Sequence, residues 1–213
     1  MLQETIETPI PTCRSTSGWR SQFGHPRGWR GWIAGQLMAR NNKERSLWVL
    51  SLLALRPEDR VLEIGFGPGV DIRRVAKRVP KGFVAGIDQS EVMLREATRR
   101  NREATGTGRV ELRQGTASRL PFDSDSFDLA FAINVAQHWD STQEATSEIR
   151  RVLRPGGRVA LAVQPRNKGA TEDTADQIGR TLVEALSAAG FRSVRLEHRA
   201  MKPVSTVCAL GIK

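Results

Sequence analysis

Residues 61–69, Val-Leu-Glu-Ile-Gly-Phe-Gly-Pro-Gly, confine this chain to few architectures. Val61, Leu62 and Ile64 supply the apolar run that a parallel strand buried on both faces requires. The run passes directly into glycines at 65, 67 and 69, where a missing Cβ lets the backbone turn sharply and lie against a ligand. A second apolar run, Phe83-Val84-Ala85-Gly86-Ile87, ends on Asp88, nineteen residues beyond Gly69. A carboxylate there is placed to accept hydrogen bonds from both hydroxyls of a ribose. Two neighbouring strand ends are therefore expected to hold a nucleoside.

The glycine spacing narrows the choice. A dinucleotide fingerprint runs G-x-G-x-x-G, but position 70 is Val, and no Gly-Lys-Ser/Thr ending of a phosphate loop occurs. The pattern G-x-G-x-G, preceded by Glu63, instead resembles the first motif of class I S-adenosylmethionine-dependent methyltransferases. Further segments are similar to later motifs of that family, in order: Gly86-Ile87-Asp88-Gln89-Ser90, Leu120-Pro121-Phe122 with Ser126-Phe127-Asp128-Leu129-Ala130, Asn134-Val135-Ala136-Gln137-His138-Trp139, and Leu153-Arg154-Pro155-Gly156-Gly157-Arg158. The pattern most resembles the small-molecule branch typified by ubiquinone and menaquinone biosynthesis methyltransferases.

Strands and helices alternate from residue 56 onward. Strands are expected at 60–65, 83–87, 109–114, 127–133 and 157–163, and helices at about 70–79, 90–104, 142–152 and 174–189. Ser90 suits the N-cap of the second helix, and Gly190 the stop after the last. The alternation predicts an α/β fold, a doubly wound, Rossmann-like sheet with right-handed crossovers and helices on both faces. Two more β-rich runs, 192–200 and 204–212, have only Met201-Lys202-Pro203 between them, too short a link for a parallel crossover, so they are expected to be antiparallel. The resemblance implies that this strand pair completes a seven-stranded sheet. Residues 1–18 are expected to be a mobile tail, 19–55 an N-terminal helical cover, and 56–213 the sheet core of a single domain.

The resemblance also implies residue roles. Glu63, Gly65, Gly67, Pro68 and Gly69 would support and form the loop against the amino-acid end and ribose of S-adenosyl-L-methionine, and Asp88 with Gln89 would hold the ribose. Met93 has two readings, packing on the adenine or filling the core. Where the family usually carries an acidic residue to contact the adenine amino group, this chain has Thr116, a neutral and weaker acceptor, followed by Ala117 with its N–H. Asn134 would turn its carbonyl to the ammonium group, with Gln137, His138 and Trp139 on the side of the transferred methyl. His138 is the first candidate base and a structural histidine the alternative. His25 is the second candidate, and Arg27 and Trp29 belong to a segment that could close over the pocket. No metal is expected, since Cys13 and Cys208 lie far apart and lack ligand spacing.

Bulk properties constrain the partners. The chain has 213 residues, 39% hydrophobic and 26% charged, with no apolar run near the length of a membrane span and no evident signal peptide, so a cytoplasmic protein is expected. The net charge of +10 is uneven: residues 1–113 carry 20 Lys and Arg against 12 Asp and Glu, and residues 114–213 carry 13 against 11. Charge alone invites an RNA-directed methyltransferase, but the fourth strand ends Ala132-Ile133-Asn134-Val135, without the Asn/Asp-Pro-Pro-aromatic run of amino-methylating nucleic-acid enzymes. A small, partly apolar acceptor is therefore favoured over nucleic acid. A catalytically silent cofactor-binding protein and a homodimer stay open.

Overall fold

The computed structural model describes residues 42–213. Residues 46–213 form one compact unit, and residues 1–45 separate as another, of which 42–45 are described. Seven strands build one sheet among the described residues: β1 (Arg60–Ile64), β2 (Phe83–Asp88), β3 (Val110–Gln114), β4 (Phe127–Ile133), β5 (Leu153–Val163), β6 (Arg192–Arg199) and β7 (Thr206–Ile212). Their order is β3-β2-β1-β4-β5-β7-β6. The first five run parallel, and β7 lies antiparallel to both β5 and β6. The order reverses between β1 and β4, which opens a crevice at the carboxyl ends of the central strands.

Alternation of side chains along each strand explains why both faces are covered. Leu62 and Ile64 of β1, Ala130 and Ala132 of β4, and Val159, Leu161 and Val163 of β5 belong to one core. It is closed by Ala145, Ile149 and Val152 of α5 (Thr142–Val152) and by Leu182 and Leu186 of α6 (Glu172–Ala188). The intervening residues Val61, Leu129, Phe131, Ala160 and Ala162 form the second core. Here they meet Val49, Leu50 and Leu53 of α1 (42–53), Ile72 and Val75 of α2 (Val70–Arg78) and Ala97 of α3 (Glu91–Arg100). Burying each large aliphatic side chain contributes about 1.5–3 kcal/mol relative to exposing it. No helix among the described residues is long and apolar enough to cross a membrane.

The expected seven-stranded sheet with its antiparallel end is present, and the departures have local causes. The helix expected over 90–104 breaks at Asn101 into α3 and α4 (Arg102–Gly106). Asn101 leaves helical geometry, and its buried Nδ2 donates to the carbonyls of Gly69 at 3.0 Å and Ala97 at 2.9 Å. Strand β5 begins at Leu153, not 157: Leu153 pairs with Phe127, and after a register shift Arg158 pairs with Leu129. The extra residues are held by the chain end, since Gly156 N–H donates to the Lys213 carbonyl and Lys213 N–H to that of Gly157. Helix α6 starts two residues early because Thr171 and Thr174 form a reciprocal capping box. The link between β6 and β7 spans 200–205, longer than expected, and the antiparallel sense is unchanged. Ser90 does cap α3, its Oγ accepting the Met93 N–H at 3.3 Å, and Gly190 follows α6 with φ +84°.

Candidate active site

The crevice is assembled from four chain segments at the carboxyl edge of the sheet. Its walls are Ile64 and Gly65 at the end of β1, Ile87, Asp88 and Gln89 at the end of β2, Gly115 and Ala117 after β3, and Val135, His138 and Trp139 after β4. The enclosed part has a volume of about 170 Å³.

The glycine turn is rigid on one side and open on the other. Gly65 adopts φ +73° and donates its N–H to the Ile87 carbonyl at 2.7 Å, which ties the ends of β1 and β2 together. A Cβ at Gly65 would lie 2.3 Å from Val135 Cγ1, so only glycine fits beneath that side chain. Gly67 also has positive φ, +51°, but nothing lies within 4 Å of where its Cβ would be. Its N–H donates to Asp88 Oδ2 at 2.8 Å. The other carboxylate oxygen, Oδ1, accepts from the Ser90 N–H at 2.9 Å. Asp88 thus fastens the glycine turn to the start of α3. Each oxygen has a second acceptor site left over.

Glu63 lies behind this turn and is 3% exposed. Its Oε2 has no hydrogen-bond partner among the described residues. Burial pushes its carboxyl well above the usual range, and the carboxylates of Asp71 and Asp88 push it further. The Arg74 guanidinium and the Ile72 backbone N–H oppose the shift. A buried acid with an unsatisfied oxygen is costly, and a cation or strong donor at that oxygen would relieve it.

On the β4 side, Asn134 closes the strand with φ +58°, a left-handed conformation unusual for a residue with a side chain. Its Oδ1 accepts the Gln164 N–H at 2.8 Å, which pins the end of β4 to the end of β5. Its carbonyl accepts the Gln137 Nε2–H at 3.1 Å, while Gln137 Oε1 is buried without a partner among the described residues. A 3-10 turn, Ala136–His138, then delivers His138 and Trp139 to the crevice wall. The exposed His138 ring makes no side-chain hydrogen bond with a described residue.

Of the residues singled out in the sequence, the crevice brings together Gly65, Asp88, Gln89, Ala117, His138 and Trp139. Gly67, Pro68 and Gly69 continue the turn outward from Gly65; Gly69 N–H donates to the Phe66 carbonyl at 3.0 Å, and Pro68 is exposed. Met93 packs against the second core, Thr116 is exposed and bridges to Arg119, and Gln137 turns toward Asn134. His25, Arg27 and Trp29 lie outside the described residues. The wall residues Ile64, Ile87, Gly115 and Val135 were not singled out. Gly115 carried a readable signal, a glycine just past a strand, and its missing Cβ spares a 2.7 Å approach to Ile87 Cδ1.

Known proteins resemble this chain in sequence and in fold. The chain matches the methyltransferase-domain family over residues 61–157. It is 33% identical over 181 residues to YdaC, an uncharacterized methyltransferase of Bacillus subtilis, across 85% of this chain and 98% of that one. It is 31% identical over 163 residues to the 27-O-demethylrifamycin SV methyltransferase of Amycolatopsis mediterranei, across 72% of this chain and 60% of that protein. The crystal structure of a SAM dependent methyltransferase from Aquifex aeolicus shares the fold, with a TM-score of 0.63 at 21% identity over 78% of this chain and 88% of that one. The chain belongs to the class I S-adenosylmethionine-dependent methyltransferases. It is an enzyme whose methyl donor is S-adenosyl-L-methionine.

Proposed function

We propose that the crevice between β1, β2 and β3 takes the adenosyl part of S-adenosyl-L-methionine, and that a small, partly apolar acceptor enters beside His138 and Trp139. The observation that carries this reading is the Asp88 carboxylate beside the open face of Gly67, at the mouth of a crevice walled by Ile64, Ile87 and Val135. A volume of about 170 Å³ accommodates part of such a ligand; the rest runs along Gly67. Asp88 has acceptor capacity for the ribose hydroxyls beyond its two backbone donors. The unsatisfied Oε2 of Glu63 and the buried Oε1 of Gln137 are acceptors for a cationic amino-acid tail, near the loop and the β4 end respectively. Gln89, Ala117 and the exposed Thr116 border the base, and Met93 supports α3 from the core side.

When bound, the cofactor supplies a methyl group on a sulfonium, whose leaving group is already activated. The protein therefore has to hold the acceptor in line and keep water out, and alignment alone lowers a barrier by on the order of 7–11 kcal/mol. Trp139 and the apolar wall exclude water. His138 serves as a base where the acceptor atom must lose a proton; its exposed ring is free to reach it. The rifamycin-derived acceptor in the name of the Amycolatopsis relative supports a small organic substrate. The enzyme acts in the cytoplasm, and its described cysteine, Cys208, is a free, buried thiol.

Calorimetry with S-adenosylhomocysteine tests the assignment. Asp88→Ala removes two charge-assisted contacts to a diol, and at about 1.5 kcal/mol each the affinity should fall roughly a hundredfold. Unchanged affinity in a folded Asp88→Ala protein would place the ribose elsewhere. Methyl label appearing in RNA, and not in small metabolites of a cell extract, would overturn the acceptor class.

A further inference from the structure

A second concave site shares no lining residue with the crevice. Val70, Arg73, Arg74 and Lys77 of α2 and Arg100 at the end of α3 line a cleft of about 480 Å³. Among the described residues, no carboxylate lines it. Asp71, the acid in the first turn of α2, is engaged by Arg74 Nη1 at 2.6 Å and by Ser46 Oγ at 2.7 Å. Arg73, Lys77 and Arg100 form no ion pair or side-chain hydrogen bond with a described residue.

Helix electrostatics explains only part of this cluster. Lys77 and Arg78 occupy the last turn of α2, and Arg99 and Arg100 that of α3, where cations are favourable beside the terminal carbonyls. Arg73 and Arg74 lie in the first half of α2, where that benefit is absent. They also stand four residues before Lys77 and Arg78, and like charges at that spacing oppose helix formation. The second core already fastens α2 through Ile72 and Val75, so these cations have no packing role to fill. The Arg73 and Arg100 guanidiniums and the Lys77 ammonium, beside an Arg74 that is paired with Asp71, line one concavity and match the chemistry of phosphate oxygens, which guanidinium forks bind in pairs. The volume is that of a small-molecule site.

We propose that the α2–α3 cleft is a binding site for a small ligand carrying two or more phosphate groups, separate from the methyl-transfer crevice. The probe is tripolyphosphate, titrated calorimetrically into the full chain at low ionic strength. The expected result is a one-to-one complex that weakens as salt is added, and a loss of roughly tenfold or more in affinity for Arg73→Gln with Lys77→Gln. Both positions are exposed on a helix, and Gln keeps helix propensity, so the variant should fold. Its S-adenosylhomocysteine affinity should stay within about twofold of the parent. That control also keeps failure of this site distinct from failure of the crevice assignment. Neutralising Arg180 and Arg192 instead, on α6 and β6, should leave tripolyphosphate binding intact. Absence of binding, or an equal loss in the Arg180/Arg192 control, would overturn the proposal. Binding of a single-stranded RNA oligonucleotide without binding of tripolyphosphate would also overturn it and assign the face to nucleic acid.

Discussion

Alanine at Gly65 and at Gly67 should separate what the turn needs from what a ligand needs. At Gly65 the new methyl meets Val135 Cγ1 at 2.3 Å and Val135 Cβ at 2.9 Å, and no rotamer of Val135 moves its Cβ. Positive φ adds about 1–2 kcal/mol for a residue with a side chain, and overpacking about 1–3 kcal/mol. Gly65→Ala should therefore lose about 2–5 kcal/mol of stability, with Tm falling about 2–4 °C for each kcal/mol. Gly67→Ala meets no atom within 4 Å, so only the conformational cost of about 1–2 kcal/mol applies. Its methyl would project into the space assigned to the cofactor. The backbone cannot easily retreat, because the Gly67 N–H is held by Asp88 at 2.8 Å. A clash of about 1–3 kcal/mol predicts roughly tenfold to hundredfold weaker S-adenosylhomocysteine binding. Urea denaturation and calorimetry on the two variants measure both quantities. Parent-like cofactor affinity in Gly67→Ala would refute the placement of the ligand, and parent-like stability in Gly65→Ala would refute the packing of the turn.

Three further outcomes follow from buried groups. The Glu63 carboxyl is raised in the fold, so the native state keeps its proton longer than the unfolded chain does, and stability falls as pH rises above the ordinary carboxyl value. Glu63→Gln should remove that slope and be more stable than the parent at pH 8 than at pH 5; a variant less stable than the parent at pH 8 would contradict the assignment. Glu148 is shifted the other way, chiefly by its hydrogen bond from Arg151 at 2.7 Å, which outweighs the opposing effect of burial, with the Leu120 N–H at 2.9 Å adding to the lowering. Its stabilising contribution is full above the ordinary value of 4.5 and is lost as pH falls through the lower native value. Glu148→Gln should cost about 2 kcal/mol at neutral pH, with the gap to the parent closing in acid denaturation curves. Cys208 is fully buried, and burial pushes its thiol up to about 12, so it should resist alkylation at pH 8 until the protein is unfolded. Rapid labelling of the native chain at that residue would show that β7 opens.

Elements whose cause is local could be anticipated from the chain itself, and elements whose cause is tertiary could not. The alternation that sends Leu129 and Phe131 one way and Ala130 and Ala132 the other is written in consecutive residues, and the expected and observed bounds of β4 coincide. The break at Asn101 is fixed by a carbonyl thirty-two positions away, at Gly69, which the low helix propensity of Asn alone does not reveal. The early start of β5 likewise depends on Lys213, distant in sequence and brought alongside by the neighbouring strand β7. In the crevice, polar residues and glycines were visible because strand ends rarely carry them without cause. Ile64, Ile87 and Val135 were not, since an apolar residue that lines a ligand site and one that fills a core are the same residue until the sheet order is known. The basic cleft lies between these cases. Arg73, Arg74 and Lys77 stand out as a charged run in the sequence, but a charged run is ordinarily a solvated helix face. Only the packing of α3 beside α2 brings Arg100 to it and makes a concavity out of a stripe.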